Sequence, residues 1–382
     1  MFDKELFKNY IYPIATLSGS IIGVGIFSLP YVALKSGIWA MLGYFLVLTL
    51  LVIIIHLVFT EISLKTPDFK RFPGFVGHHL GKAAEAVSLV TITFGAFGVL
   101  LAYLIIGSEF LAGIFQPYFG GSIFLYAILY FTAVSIIIGL GIKIVSRVEF
   151  WALTLLFLSL LFIFVKGFSQ IKIGNIFLSP SVVDWKNLFL PYGAIMFALW
   201  GTSLIPEVEE MLGDHSANSG RGKDSIRNIV IISTLIPAVV YVLFTVLILG
   251  ITGGRTTESA LTGLKFFLGN SVFLIALFAG VVTTFTAFIS QGLTLKKVLI
   301  YDMGIKNKQA FIIICLTPLV LFLLGLKSFV PLLSFIGGIL LGIDGILILL
   351  MYKKIGGKKI IIYPLSLVFL LGVIYEIIYF IK

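Results

Sequence analysis

Apolar residues in this chain run almost unbroken for about 20 positions at a time. Strands alternate every second residue and amphipathic helices carry a narrow stripe, so runs of this kind predict helices that cross a bilayer. Eleven such spans are predicted, at 10–34, 38–62, 84–115, 122–141, 147–166, 187–212, 229–250, 271–294, 309–326, 330–352 and 360–381. The third exceeds the thickness of a bilayer and is expected to tilt or protrude. Between the spans, 213–223 is polar and rich in Gly and Ser, which predicts a mobile connection. The stretch 292–308 mixes Lys with Leu, Val and Ile. It either lies along the inner membrane surface or extends a helix.

Composition removes the soluble classes. Of 382 residues 59% are hydrophobic and 12% charged, a balance foreign to soluble globular domains. The net charge of +10 would otherwise suggest nucleic acid, but the cations sit in short loops between spans. Placing the N-terminus inside puts most Lys and Arg on the cytoplasmic side. The expectation is therefore a multi-pass protein of the cell membrane, with lipid and no nucleic acid as its surroundings, N-terminus cytoplasmic and C-terminus on the opposite face. The first residues, Met1 to Lys8, show no cleavage pattern, so the first span is expected to remain. Cys315, the one cysteine, sits in an apolar run and is read as a buried inert thiol. His78 and His79 are adjacent without a nearby Cys, a poor metal site.

Two spans break the pattern from within. The first carries Ser18, Gly19, Ser20, Gly23 and Gly25 ahead of Pro30, which cannot continue a helical ladder. Backbone opened at membrane depth persists only where protein buries it or where it lines a cavity, so Gly23-Val24-Gly25 is either the opening of a binding site or a close-packing surface. The sixth span decides in favour of the site. Gly25, Ser28, Leu29 and Pro30 are matched there by Gly201, Ser203, Leu204 and Pro206, at the same five-residue Gly-to-Pro spacing. Paired interrupted spans at corresponding places in two halves point to a transporter site. Five spans separate their starts, so the halves are inverted. The expected architecture is an all-α polytopic membrane protein with a 5+5 inverted repeat plus one extra span. Within one transmembrane domain, 1–382, the first repeat is 10–166, the second 187–352 and the extra span 360–381.

Backbone chemistry then suggests a substrate. The second half-helix of span one starts near Gly25, where free N–H groups suit a carboxylate. Free carbonyls near Ile21, and near Phe197 and Ala198, suit an ammonium group. An α-amino acid carries both on one carbon.

At these two stretches the chain resembles the amino acid/auxin permease family, within the amino acid–polyamine–organocation superfamily. The family's first span reads Gly-x-Gly, a few residues, Leu-Pro-Tyr-Ala and a later Gly; here it is Gly23-Val24-Gly25, Leu29-Pro30-Tyr31-Val32-Ala33 and Gly37, with Val32 where Ala is usual. The sixth span's Phe-Ala-Phe, Gly and Leu-Pro-Glu-Ile-x-Glu-Glu-Met is met by Phe197-Ala198-Leu199, Gly201 and Ile205-Pro206-Glu207-Val208-Glu209-Glu210-Met211. Trp200 and Thr202 depart from the commonest residues. The resemblance implies the leucine-transporter fold, secondary transport of an L-amino acid and coupling to protons or sodium, with no other cofactor. It also implies a substrate site lined from spans one, three, six and eight. That site comprises Ile21, Gly23, Val24, Gly25, Tyr103, Phe197, Ala198, Trp200, Gly201 and Phe285. An aromatic, apolar lining suits a neutral amino acid, aromatic or branched.

The coupling ion is left between two readings, with protons favoured slightly. Some proton-coupled relatives place a Lys in span five where Leu156 stands here. Thr283 and Thr284 of span eight are a possible Na⁺ site beside span one, or merely bond their own backbone. Titratable candidates within spans are Asp344, Glu109, Glu207 and His56, since an intramembrane acid is a functional hypothesis by default. Asp344 is alternatively a packing acid, and Glu207, in the first turn after Pro206, a complement to a helix N-terminus. His56 and Glu61 are a further candidate pair, about a turn apart.

The function expected is secondary active amino acid transport by alternating access, ion-coupled. The alternatives are a non-transporting amino acid sensor of the same fold and an uncoupled exchanger. The chain is not expected to be an enzyme, since one Cys and four His offer no convergent set at one depth.

Overall fold

The computed structural model describes residues 7–67, 71–140, 145–178, 185–212 and 220–381. The connection at 213–219, and residues 141–144 before span five, lie outside the described residues. Among those described, every regular element is helical.

Span one is two pieces, α1 (Tyr12–Ile21) and α2 (Leu29–Ser36), joined through Ile22, Gly23 and a 3-10 turn at Val24–Phe27. The two parts bend by 51°. Then come α3 (Ile38–Lys65), α4 (Phe72–Leu80), α5 (Lys82–Phe119), α6 (Ile123–Leu140), α7 (Val145–Gly167) and the short α8 (Ile173–Ile176). Span six is α9 (Trp185–Leu199) and α10 (Ile205–Leu212) around an unwound Trp200-Gly201. The rest are α11 (Gly220–Thr252), α12 (Asn270–Lys297), α13 (Asn307–Leu323), α14 (Phe329–Phe335), α15 (Leu341–Lys354) and α16 (Lys359–Ile381). A π turn at Ile336–Leu340 joins α14 to α15.

Each of the predicted apolar stretches overlaps helix among the described residues. Among the described residues, eight helices are long and apolar enough to cross a membrane, or nine when the bent pair counts as one span. Two further apolar helices, Thr154–Gln170 and Asn307–Leu323, are shorter. The 38 residues of α5 rise roughly 57 Å, well beyond the ~30 Å hydrocarbon core, as its sequence predicts. The stretch after span eight extends that helix to Lys297 and ends in a π turn at Val298–Asp302. The hydrophobic pattern carries no hint of α4, which lies in the loop between spans two and three and buries Phe72, Pro73, Phe75 and Val76.

The broken spans sit at the centre of the packing. α9 packs on α2, α3 and the π turn, while α11 packs on α1 and α3. α12 lies against α5 and α7, and α16 against α15. Close approach explains the glycines of span ten: a side chain on Gly337 would collide with the Gly193 carbonyl, and one on Gly338 with Glu376.

Candidate functional site

The helical ladder of span one stops because Ile22 and Gly23 are extended (φ −76°, ψ 91° and φ −125°, ψ −154°). The last regular bond before the break is Ile22 N–H to Ser18 O at 3.0 Å. Beyond it Ile26 donates to Gly23 O, and both the backbone N–H and the hydroxyl of Ser28 donate to Gly25 O. The Gly23 N–H faces the Tyr241 hydroxyl, and no backbone acceptor is described for the N–H groups of Val24 or Gly25. The segment is nonetheless inside the protein, with Val24, Ile26 and Phe27 all buried.

The two breaks meet. A Cβ on Gly25 would lie 3.0 Å from the Ala198 backbone and 3.2 Å from the Phe197 ring. One on Gly201 would lie 2.7 Å from Ile21. Glycine at both places lets the unwound segments touch. Tyr241, from α11, closes the junction: its hydroxyl lies 2.7 Å from Ile21 O and 3.0 Å from Ala198 O. These are the carbonyls of the two half-helix ends. One hydroxyl proton serves two carbonyls, each with two lone pairs, so acceptor capacity remains for a cationic group. Tyr241 is a residue that sequence reasoning misses. A tyrosine in an apolar run carries no positional signal, and only the packing of α11 across both breaks selects it.

His56, a titratable candidate by sequence, has a different setting in the structure. It is fully buried on α3, and its Nε2 accepts the Gly201 N–H at 3.1 Å. Its Nδ1 lies 2.9 Å from Thr234 Oγ1, whose own proton goes to Val230 O. That arrangement requires a neutral imidazole with the proton on Nδ1. The expected pairing of His56 with Glu61 is not formed, because Glu61 bridges to Lys65 at 2.8 Å on the exposed face of α3.

The other predicted residues divide. Tyr103 faces the first break, its hydroxyl 3.6 Å from the position of a Gly23 Cβ. Trp200 is set behind the second break, between the rings of His56 and Phe369 at 6.4 and 6.3 Å. Phe285 lies against Tyr130, edge to face at 5.7 Å. Glu109 sits beside Ser259 and Glu258, in the segment after span seven. Asp344 is buried in α15 and accepts the Thr91 hydroxyl of α5 at 2.5 Å. Glu207 is exposed in the first turn of α10; the acid of this motif that the fold buries is Glu209, bonded to Ser63 of α3 at 2.5 Å. Thr283 donates to Ala152 O in α7 and Thr284 to Gly280 O in its own helix. None of their described bonds reaches span one. In the connection between spans two and three His79 Nε2 donates to Thr66 Oγ1 at 2.8 Å, because the Thr66 proton is committed to Ile62 O.

The architecture is shared with solved transporters. A mutant of the manganese transporter of Eremococcus coleocola superposes with a TM-score of 0.71 at 12% identity, over 97% of this chain and 86% of that one. MhsT in complex with L-phenylalanine gives 0.58 at 15% identity, over 97% of both chains. Mhp1, a nucleobase-cation-symport-1 family transporter in a closed conformation with bromovinylhydantoin bound, gives 0.65 at 12% identity, over 96% and 89%. At these identities the likeness shows the fold, which is leucine-transporter-like. No curated protein matches the sequence. The motifs resemble amino acid/auxin permeases, but the family that matches is another, spanning residues 8–373. The chain is a multi-pass membrane permease rather than an enzyme, and it belongs to the tryptophan/tyrosine permease family.

Proposed function

We propose that the protein is a secondary transporter of an aromatic L-amino acid, coupled to protons and working by alternating access. The observation that carries the reading is the junction of the two breaks, where Gly25 abuts Phe197 and Ala198 and Tyr241 spans the carbonyls of Ile21 and Ala198. The amide groups of Val24 and Gly25 would hold the carboxylate, with that of Gly23 turned to the Tyr241 hydroxyl, and the two carbonyls would share the ammonium with Tyr241. The family supports an aromatic side chain, as does the phenylalanine bound to MhsT. Proton coupling is favoured over sodium because Thr283 and Thr284 spend their hydroxyls away from span one, while acids are buried within spans. The two five-span repeats, 10–166 and 187–352, would move about this junction, with the N-terminus in the cytoplasm and the C-terminus outside the cell membrane.

The test is uptake of labelled tryptophan, tyrosine and phenylalanine into proteoliposomes under an imposed proton or sodium gradient. Accumulation of one of them under the proton gradient alone is the expected result. Binding without accumulation under either gradient would refute coupled transport.

A further inference from the structure

The last helix, α16, is largely turned to lipid: only 17% of its apolar window is buried. Its buried residues are Ile362, Phe369 and Glu376, one every seven positions. The third place of an apolar seam is thus held by the only acid in the helix. Glu376 is 1% exposed, and its Oε1 has no hydrogen-bond partner. Two more buried oxygens in the adjoining helices also lack one: the Tyr192 hydroxyl of α9 and the Ser334 hydroxyl of α14. All three surround one glycine seam. A Cβ on Gly193 would lie 2.7 Å from both Glu376 Oε1 and Ser334 Cα, one on Gly338 would strike the Glu376 side chain, and one on Gly372 would strike the Tyr192 ring. Phe189 stacks on Tyr375 at 4.6 Å and Phe335 meets Phe380 at 5.6 Å, fixing α16 across α9 and α14.

An ionised carboxylate with an unpartnered oxygen is untenable in such a place. A metal cation would need several oxygen ligands around a cavity, and here the glycines' own Cβ positions are already occupied. A proton needs no room. The groups facing Glu376 cannot neutralise it otherwise. α9 offers Tyr192, which itself faces Tyr44 of α3. α14 and the π turn offer no ionisable side chain. α15 sets Gly342 and Gly345 against α16, and its acid Asp344 is engaged by Thr91. Among the described ion pairs none includes Glu376.

We propose that Glu376 is a proton-binding site, loaded when α9 closes on the π turn of span ten and emptied when that seam opens to water. The inference rests on the transport reading above and names the residue that carries its coupling. Opening the seam would move the first half of span six, whose far end is Phe197 and Ala198 at the substrate junction. A π turn inside a helix is frequently found at a functional site. Proton occupancy at Glu376 and the state of the substrate site would then be two readouts of one rearrangement.

The experiment is E376Q in proteoliposomes, read by substrate counterflow and by accumulation under a pH gradient. Glutamine imitates the protonated acid, so counterflow should stay near wild type. Accumulation, which one coupled proton raises about tenfold per pH unit, should fall to the gradient-free level. E376Q accumulation equal to wild type overturns the proposal. So does wild-type accumulation driven by sodium and indifferent to pH, which leaves the amino acid reading standing. Wild-type protein that neither binds nor moves an aromatic amino acid overturns that reading itself. If E376Q does not fold, wild-type protein is treated with a hydrophobic carbodiimide, which modifies protonated carboxyls in apolar surroundings. Modification of Glu376 that declines as pH rises supports the site, and none at any pH overturns it.

Discussion

Replacing Gly25 by alanine tests the junction directly, with Gly23→Ala as its control. At Gly25 the new methyl would stand 3.0 Å from both the Cα and the Cβ of Ala198 and 3.2 Å from the Phe197 ring. Carbon atoms prefer about 3.5–4.0 Å. The Phe197 ring can turn aside, but the Ala198 backbone cannot, so the halves of spans one and six must part by several tenths of an ångström. Overpacking of this kind costs about 1–3 kcal/mol. That energy falls on the relative placement of the two breaks, so substrate affinity should drop by about 5–150-fold. At Gly23 the nearest atom is the Tyr103 hydroxyl at 3.6 Å, an ordinary contact, and the backbone is extended with negative φ. Gly23→Ala adds no such collision, so it should lose clearly less affinity than Gly25→Ala. The assay is equilibrium binding of labelled aromatic amino acid to purified protein, with size-exclusion profiles confirming the fold of both variants. Equal affinities for the two variants, whether intact or lost, would refute the claim that the close approach of the breaks shapes the site.

Three further outcomes follow from the same contacts. Tyr241→Phe removes the donor shared by Ile21 O and Ala198 O. It should lower thermal stability in detergent by about 0.6–1.7 kcal/mol, the range of hydrogen bonds between membrane helices, and an unchanged melting temperature would show the hydroxyl to be dispensable. His56→Phe keeps a ring but strands the Gly201 N–H and loses the bond to Thr234; destabilisation of about 1–3 kcal/mol is expected, checked by the same thermal shift. In the connection between spans two and three, burial and then the neighbouring His78 hold the His79 pKa below the ordinary imidazole value. The unfolded chain therefore binds more protons than the folded one below about pH 6.5, and the stability His79 gives is present above that pH and lost as pH falls toward its depressed value. The protection of amides around α4 against hydrogen exchange, corrected for the intrinsic pH dependence of exchange, should fall on acidification through that window in wild type and not in His79→Gln.

Most of the fold is legible in the sequence. Lipid offers the backbone no hydrogen-bond partner, so a helix across it must be a long apolar run, and such runs are visible one residue at a time. The two breaks were legible for the same reason. Gly25 with Pro30 and Gly201 with Pro206 interrupt runs that otherwise have no reason to stop, and the structure opens the helices at Ile22–Gly23 and Trp200–Gly201. The short α4 escaped because nine residues of loop helix carry no bilayer-length signal. Which polar atoms meet is settled by the packing of the helices. Membrane helices are apolar on every face, so hydrophobic period does not say which side of α11 carries Tyr241 inward, or that Glu209 rather than Glu207 is buried. Thr283 and Thr284 look alike in sequence, yet one bonds α7 and the other its own helix. Glu376 is the clearest case. Its seven-residue register with Ile362 and Phe369 lies in the sequence, but that register acquires meaning only when Gly193, Gly338 and Gly372 bring three helices close enough to shut one acid away from water.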